Sequence, residues 1–268
     1  TDMTDDIVRD YADKGITLVR APERRGKEFA QKSAIGRARG EIIVFSDVAT
    51  MIENDGISRI VSNFSDLTVG CVSSEDRVLD EQGNVSGEGA YVRYEMWLRS
   101  LETRISSVVG LSGSFFAARA EVCREWPVNI PSDFNTLLNS IRLGLRGVSD
   151  PKSIGLYTNI KDEKKEFNRK VSTITRGISA LMANRGLMNP FRFGIFSWQL
   201  ASHKLMRWLV PWFLISAVFS NLILVYRSAL FKIFCILQVV FYGSAFLHDK
   251  LSVLGISAIK IPYYFVQV

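Results

Sequence analysis

The chain has 268 residues, of which 47% are hydrophobic and 22% are charged, with a formal net charge of +6. Its mean hydropathy of +0.12 is high for a protein that is soluble throughout. Residues 209–268 contain only five charged side chains, so a polar part precedes an apolar tail. This organisation excludes disorder, a coiled coil and an ordinary cytosolic enzyme.

The scarcity of histidine and the spacing of cysteine exclude several kinds of site. His203 and His248, the only histidines, lie near or within the tail, so neither a histidine-rich zinc site nor a Ser-His-Asp triad is expected. The three cysteines form no CxxC pair and indicate buried, reduced thiols. GxGxxG and GxxxxGK[ST] motifs are absent. Basic residues alternate with acidic ones, so no nucleic-acid partner is expected.

The first 160 residues alternate between helical and strand patterns. The predicted elements are a helix at 4–13, a strand at 16–20, a helix at 26–39, a strand at 41–47, a helix at 55–64 and a strand at 68–73. The alternation predicts an α/β domain over 1–160 with a Rossmann-like, mostly parallel sheet. Asp47 ends the most apolar strand, where ligands bind in such sheets. A turn cap is the alternative role for this aspartate.

The second half of this domain contains two further candidate features. Gly110–Gly113 predicts a tight loop before a strand at 114–118. Asp133 lies near the start of a predicted helix, where the helix dipole favours an ionised carboxylate, although an aspartate there is also a common cap. An amphipathic helix from Tyr94 to Ile105 carries charges on its second face, which indicate a solvated ion-pair ladder or a functional face: Glu95, Arg99 and Glu102.

Residues 161–208 predict amphipathic helices at a membrane surface. Apolar residues recur with 4-3-4-3 spacing from Phe167 to Leu181, which places Arg169 and Arg176 on the opposite face. That face is either solvated or turned toward an anionic ligand. The stretch FRFGIFSWQLASHKLMRW at 191–208 mixes aromatic and basic residues, which favours a helix lying on the membrane.

The apolar tail predicts transmembrane helices over 209–268. Residues 209–226 are free of charge over 18 positions, close to the roughly 20 residues that span a bilayer core. A buried core helix is the alternative for this run. Further spans are predicted at 231–247 and 251–268. Several spans predict a multi-pass protein of the inner or plasma membrane. The basic cluster before the first span predicts that the polar part lies in the cytoplasm.

Six stretches, in this order, resemble the membrane-bound enzymes of glycosyltransferase family 2. They are TDMTDDIVRDYADKGITLVRAPERRGK, ARGEIIVFSDVAT, GEGAYVRYE, GLSGSFFAAR, PSDF and EFNRKVSTITRG. The resemblance runs along nearly the whole chain. It implies a GT-A catalytic domain on a cytoplasmic face, followed by C-terminal membrane helices.

The resemblance also implies a reaction and its residues. Members of the family transfer a sugar from a nucleotide diphosphate donor, usually UDP, with inversion, to a saccharide or lipid-linked acceptor at the membrane. The resemblance implies polysaccharide synthesis, with Asp133 as the general base and Asp47 as the first acid of a DXD-type motif that binds Mg²⁺ or Mn²⁺. It places Lys27, Arg169, Lys170 and Arg176 at the donor, and the loop residues Gly110, Ser112 and Gly113 at the acceptor.

The sequence departs from the family pattern at three positions. Ala49 replaces the second Asp or Asn of the DXD-type motif, and an alanine cannot bind a metal. Ser132 replaces an acid beside the base, and Ser172 replaces an arginine. These changes keep open a non-catalytic, membrane-anchored relative. A lipid-phosphate glycosyltransferase with the same fold is a further alternative.

The two ends of the chain give one more expectation. Thr1–Asp2 resembles the end of an SDxSTD-type segment, so we expect the family's first strand and its base-binding aspartate to be missing. The membrane region is likewise expected to stop early. We therefore expect the 268-residue chain by itself to be inactive.

Overall fold

The computed structural model describes residues 3–79, 90–158, 163–247 and Pro262. Contacts divide the chain into two compact units, residues 1–203 and 204–268. Three expectations lie outside the described residues: those for Thr1–Asp2, for the start of the GEGAYVRYE stretch, and for the third span at 251–268 except Pro262.

The first unit is an α/β domain, as the sequence predicts. Its helices and strands are α1 (Thr4–Arg9), α2 (Lys27–Ile35), β1 (Ile42–Ser46), β2 (Met51–Ile52), α3 (Gly56–Ser62), β3 (Val69–Leu79), α4 (Ala90–Ile105), β4 (Phe115–Arg119), α5 (Ser132–Arg142), β5 (Arg146–Thr158), α6 (Glu163–Ala183), α7 (Pro190–Phe193) and α8 (Ile195–Leu200). Residues 16–20, predicted as a strand, form none.

The sheet is mixed rather than mostly parallel. Its strand order is β1-β4-β3-β5-β2, and among the described strands only β3 and β5 pair in parallel. The strand β4 lies between β1 and β3 and runs antiparallel to both. The strands β1 and β3, which the sequence predicts as parallel neighbours, are therefore separated. The short β2 closes the other edge, antiparallel to β5. The α/β class is therefore confirmed, whereas the expected strand direction is wrong for most of these pairs.

The helix α5 packs closely on the parallel pair because that surface carries glycines. A Cβ built on Gly147 would lie 2.6 Å from a Leu137 methyl carbon and 3.1 Å from the sulfur of Cys71. A Cβ on Gly70 would lie 2.8 Å from the Ser140 hydroxyl. Since real Cβ atoms do not approach this closely, only glycine allows the helix to sit at this distance.

Two buried amides fix α5 along its own axis. The side chain of Asn135 donates to the carbonyl of Glu125 at 3.0 Å. Asn139 donates to the same carbonyl at 2.8 Å and to that of Val122 at 3.1 Å. Because buried polar groups are costly to leave without partners, these bonds hold the helix in one register on the sheet. The N-terminal turn of α5 is thereby placed near the sheet end where β4 begins.

The helix α6 packs on a different face from the one its spacing suggests. Ala180 and Leu181 are buried, and so is Gly177. Most of the predicted apolar stripe is exposed: Phe167, Val171, Ile174 and Ile178. Leu181 is the only member of the stripe that is buried among these described residues.

The second unit contains the helices α9 (Met206–Leu224) and α10 (Ala229–Phe246). By length and composition, two stretches are apolar enough to cross a membrane, Ile195–Leu224 and Ala229–Phe246, and little of either is buried. Asn221 and Gln238 place their amides 2.8 Å apart, which gives each polar group a partner between two apolar helices. These helices overlap residues 209–226 and 231–247, for which spans are predicted, and the spans themselves stay a prediction.

We predict that Gly147→Ala destabilises the first unit by roughly 1–3 kcal/mol, because the added methyl overlaps Leu137 and Cys71. The free energy of unfolding from denaturant titration checks this. The matched control is Gly186→Ala, where a Cβ meets nothing within 4 Å and the expected change is about 0.5 kcal/mol or less. Equal effects of both changes would contradict the close packing of α5.

Candidate active site

One ammonium group joins three separate segments of the chain. Lys27 begins α2 directly after Gly26, whose φ of +94° favours glycine. The Nζ atom of Lys27 lies 2.5 Å from Oδ1 of Asp47 and donates to the carbonyl of Gly113 at 2.9 Å. The two charged side chains remain 40% and 42% exposed, so a ligand can approach them. An ion pair this exposed adds little stability. Its importance is that it holds Asp47 and the Gly113 loop beside Lys27.

Asp47 occupies the end of β1, where the chain leaves the sheet. Its backbone N–H donates to the carbonyl of Ser114 at 2.8 Å, and its own carbonyl accepts from the N–H of Thr50 at 3.0 Å. These bonds tie the turn after β1 to the residue that precedes β4. The carboxylate is thus held beside the Gly110–Gly113 loop, as the sequence predicts for a ligand site at the strand end.

Asp133 lies on the other side of the same loop. It is the second residue of α5, and a Cβ built on Gly113 would lie 3.7 Å from its Oδ2 atom. A side chain on Gly113 would therefore touch the Asp133 carboxylate, while the Gly113 carbonyl accepts from Lys27. Four residues far apart in sequence, Lys27, Asp47, Gly113 and Asp133, converge at one end of the sheet.

Asp76, on β3, is an acidic residue of this site that no sequence pattern indicates. Its two carboxylate oxygens each accept from the Ser112 hydroxyl at 2.7 Å, and Oδ1 also accepts from the Ser114 hydroxyl. Burial raises the pKa of Asp76, and the hydrogen bonds from Ser114 and Ser112 offset part of that rise. The carboxylate supports the loop that carries Gly113. No motif indicates this role, because the partners are 36 and 38 residues away.

The loop receives a second support from Ser73. The Ser73 hydroxyl accepts from the backbone N–H of Ser112 at 2.7 Å and from Arg99 at 3.4 Å. Ser112 is only 3% exposed and its hydroxyl is used by Asp76, so this side chain shapes the loop from inside. Gly110 is half-buried. Of the three residues predicted to face the acceptor, Gly113 is thus the one placed against both Lys27 and Asp133.

Glu102 does not belong to a solvated ladder, so that interpretation of α4 is wrong for this residue. It is 3% exposed and accepts from the backbone N–H of Val109 at 3.2 Å. Its other oxygen lies 2.5 Å from Nδ1 of His203. The pair holds the backbone just before the Gly110–Gly113 loop. Spacing could not reveal this contact, because the two residues are 101 positions apart.

The basic residues predicted on α6 are placed along one helix. Arg176 forms an ion pair with the buried carboxylate of Glu28 at 2.6 Å. Glu28 follows Lys27 directly in the sequence. Arg169 lies two turns earlier, roughly 10 Å along the axis on the same face, and Lys170 is exposed next to it. The structure thus brings Arg176 to the helix that carries Lys27, while Arg169 and Lys170 lie further along α6.

The acidic residues set a limit on how a divalent cation could bind. Among the described residues, no group of three His, Cys, Asp or Glu side chains is placed to hold a metal. Ala49 offers no ligand, and Asp76 is engaged by two serines. Asp47 remains as one accessible carboxylate. This donor set fits Mg²⁺ or Mn²⁺ that is held mainly by substrate phosphates, a common arrangement for Mg²⁺.

We predict that Asp76→Ala lowers the free energy of unfolding by roughly 1–3 kcal/mol, because Ser112 and Ser114 lose their acceptor. Asp76→Asn keeps an oxygen acceptor and should cost less. Denaturant titration checks both changes. The exposed Asp13→Ala serves as the control with little expected change. If Asp76→Ala were as stable as the unmodified protein, the carboxylate would not support the loop.

Comparison with known proteins concerns the family profile and the fold. Residues 1–125 match the profile of Glycosyl transferase family 2, while no curated protein matches the chain. The structure is similar to mannosyltransferase PcManGT from Pyrobaculum calidifontis, solved with GDP-Man and Mn²⁺, with a TM-score of 0.57 and 20% identity over 89% of this chain and 72% of that one.

A weaker likeness is to glucosyl-3-phosphoglycerate synthase from Mycobacterium tuberculosis, solved with Mn²⁺, UDP-glucose and phosphoglyceric acid. Its TM-score is 0.42 and its identity 18%, and the match covers 65% of each chain. At these identities the likeness to solved structures concerns the fold. Residues 1–125 therefore match the profile of Glycosyl transferase family 2, and the likeness to the mannosyltransferase shows a GT-A fold.

Proposed function

We propose that the protein transfers a sugar, with inversion, from a nucleotide diphosphate donor to a saccharide or lipid-linked acceptor. The proposed donor is a UDP-sugar, and the proposed place is the cytoplasmic face of a membrane during cell-surface polysaccharide synthesis. The observation that supports it best is the convergence of Lys27, Asp47, Gly113 and Asp133 at one end of the sheet. The convergence joins a cation, an exposed acid, a glycine of a backbone loop and a second acid.

In this proposal Asp133 is the general base. Its carboxylate takes the proton of the acceptor hydroxyl as the oxygen attacks the anomeric carbon. One carbon–oxygen bond forms on one face of the sugar while the bond to the donor phosphate breaks on the other. The nucleoside diphosphate leaves with the electron pair. Because attack and departure are on opposite faces, the anomeric configuration inverts.

Lys27 and Asp47 are proposed to hold the diphosphate side of the donor. The Lys27 ammonium is partly exposed and can move from Asp47 to a phosphate oxygen, since the two bonds differ little in strength. A divalent cation bound by Asp47 and the phosphates would neutralise the charge that grows on the leaving group. Arg176, Arg169 and Lys170 would add positive charge along α6.

The membrane location is proposed from the apolar helices. Ile195–Leu224 and Ala229–Phe246 are long and apolar enough to cross a bilayer. The basic residues Lys204 and Arg207 come just before residues 209–226, the first predicted span. Basic residues at this position favour the cytoplasm for the polar part of the chain. On this basis we keep the division into 1–160 for the catalytic domain, 161–208 for interfacial helices and 209–268 for the spans.

We predict that Asp133→Asn in the full-length protein lowers kcat by roughly 10²–10⁴-fold, because the amide cannot remove the proton from the hydroxyl group of the acceptor. Binding of UDP, measured by calorimetry, should be unchanged. The matched control is Glu121→Gln, an exposed acid on the segment just before α5, which should keep full turnover.

Retained turnover in Asp133→Asn would contradict the assignment of the base. Loss of UDP binding together with turnover would show instead that Asp133 holds the donor or the fold. Analysis of the product separates the two acceptor classes, since a lipid-linked monosaccharide and a growing polymer differ in mass and solubility.

We predict that Mn²⁺ binds weakly to the nucleotide-free protein and about tenfold more tightly when UDP is present. The physical reason is that no group of three acidic, histidine or cysteine side chains is placed to hold a metal among the described residues, so the phosphates must complete the donor set that Asp47 begins. Calorimetric titration of Mn²⁺ with and without UDP checks this, and Asp47→Asn should remove the enhancement. Equally tight binding without nucleotide would mean that other side chains hold the metal.

A further inference from the structure

A basic groove lies at the end of the first unit away from Asp133. It encloses about 540 Å³ and includes three arginines and two phenylalanines: Arg142, Arg146, Arg192, Phe193 and Phe196. Arg142 is the last residue of α5, an 11-residue helix whose second residue is Asp133. The helix alone therefore separates the groove from the candidate base by roughly 15 Å. The groove is distinct from the site proposed for sugar transfer.

The groove carries an excess of positive charge. Arg142 bonds to the side-chain oxygens of Asn184 and Asn139, which are neutral. Arg192 stacks on the ring of Phe193, with its guanidinium carbon 5.3 Å from the ring centre. Neither arginine forms an ion pair with a carboxylate in the part of the chain that the structure describes. Two guanidinium charges thus remain to attract an anion.

The third arginine is already neutralised. Arg146 pairs with Asp66 at 3.0 Å, and hydrogen bonds from Thr68, together with this arginine, lower the pKa of Asp66 to about 2. The carboxylate is therefore ionised at any physiological pH. Arg146 shapes one wall of the groove, and the attraction for an anion comes chiefly from Arg142 and Arg192.

The remaining lining is mixed, with Thr68 and Ser106 beside apolar side chains, and the segment next to it is exposed. Ile105 and Ile141 join Phe193 and Phe196 along the groove. Phe191 and Trp198 flank Phe193 and Phe196 in sequence and are exposed, Trp198 by 73%. Exposed aromatic rings next to arginines are typical of the headgroup level of a bilayer. A molecule with an anionic head and an apolar body fits such a lining.

We propose that this groove binds the headgroup phosphate of an anionic phospholipid. The proposal rests on the membrane location given above, but it does not depend on the sugar transferred. Guanidinium groups of Arg142 and Arg192 would donate to the phosphate oxygens, and the apolar wall would contact the glycerol and first acyl carbons. Lipid bound here would hold α7 and α8 at the headgroup level of the bilayer.

The experiment uses the full-length protein in neutral detergent and short-chain lipids as probes. Binding of dihexanoyl phosphatidylglycerol, dihexanoyl phosphatidylcholine and inorganic phosphate is measured by thermophoresis. We expect phosphatidylglycerol to bind more tightly than the other two probes. Arg192→Gln should weaken its binding about fivefold, the contribution of one arginine near an anionic surface. Arg185→Gln changes an exposed arginine seven residues earlier in the sequence; it is the matched control and should have no effect.

Several results would overturn the proposal. Equal binding of the two lipids would show that charge is not recognised, and equal loss in both variants would show a diffuse basic surface. Binding of inorganic phosphate as tight as phosphatidylglycerol would identify a free phosphate as the ligand. UDP binding is measured on the same samples. Its failure would count against the sugar-transfer proposal and leave the lipid result to stand by itself.

Discussion

The arrangement of the candidate site depends on the two contacts of the Lys27 ammonium group. This group is shared between the Asp47 carboxylate and the Gly113 carbonyl, and so joins α2, the end of β1 and the loop before β4. The bonds are exposed and weak in terms of stability. Their consequence is geometric, because the same loop faces Asp133 on its other side. A donor phosphate that attracts Lys27 would therefore act directly on the loop between donor and base.

The rest of the first unit holds this loop and the base in place. Asp76 and Ser73 accept hydrogen bonds from Ser112 and so hold the loop, while Glu102 holds the backbone that leads into it. The helix α5 rests on Gly70 and Gly147 through Ser140 and Leu137, so its middle and C-terminal part packs closely on the sheet. Buried carboxylates, serines and glycines thus provide a rigid frame around groups that stay exposed. Such a frame suits a transfer reaction, which requires a base and a donor at fixed separation.

The sequence predicts where the helices and strands lie better than it predicts the contacts that support the candidate site. Asp47 and Asp133 follow local signals, a strand end and a helix start, and the structure places both at those positions. The sheet direction and the role of Asp76 depend on contacts between segments far apart in the chain, which no local period reports. On α6, the spacing finds the helix, but packing selects Ala180 and Leu181 for the core, and not the larger residues of the stripe.

We infer that donor and base meet at the Gly113 loop. A crystal structure of the full-length protein with Mn²⁺ and a non-transferable UDP-sugar would show this arrangement. The diphosphate is expected beside Lys27 and Asp47, with the anomeric carbon facing Asp133 across Gly113. A donor bound elsewhere, or a sugar turned away from Asp133, would contradict it.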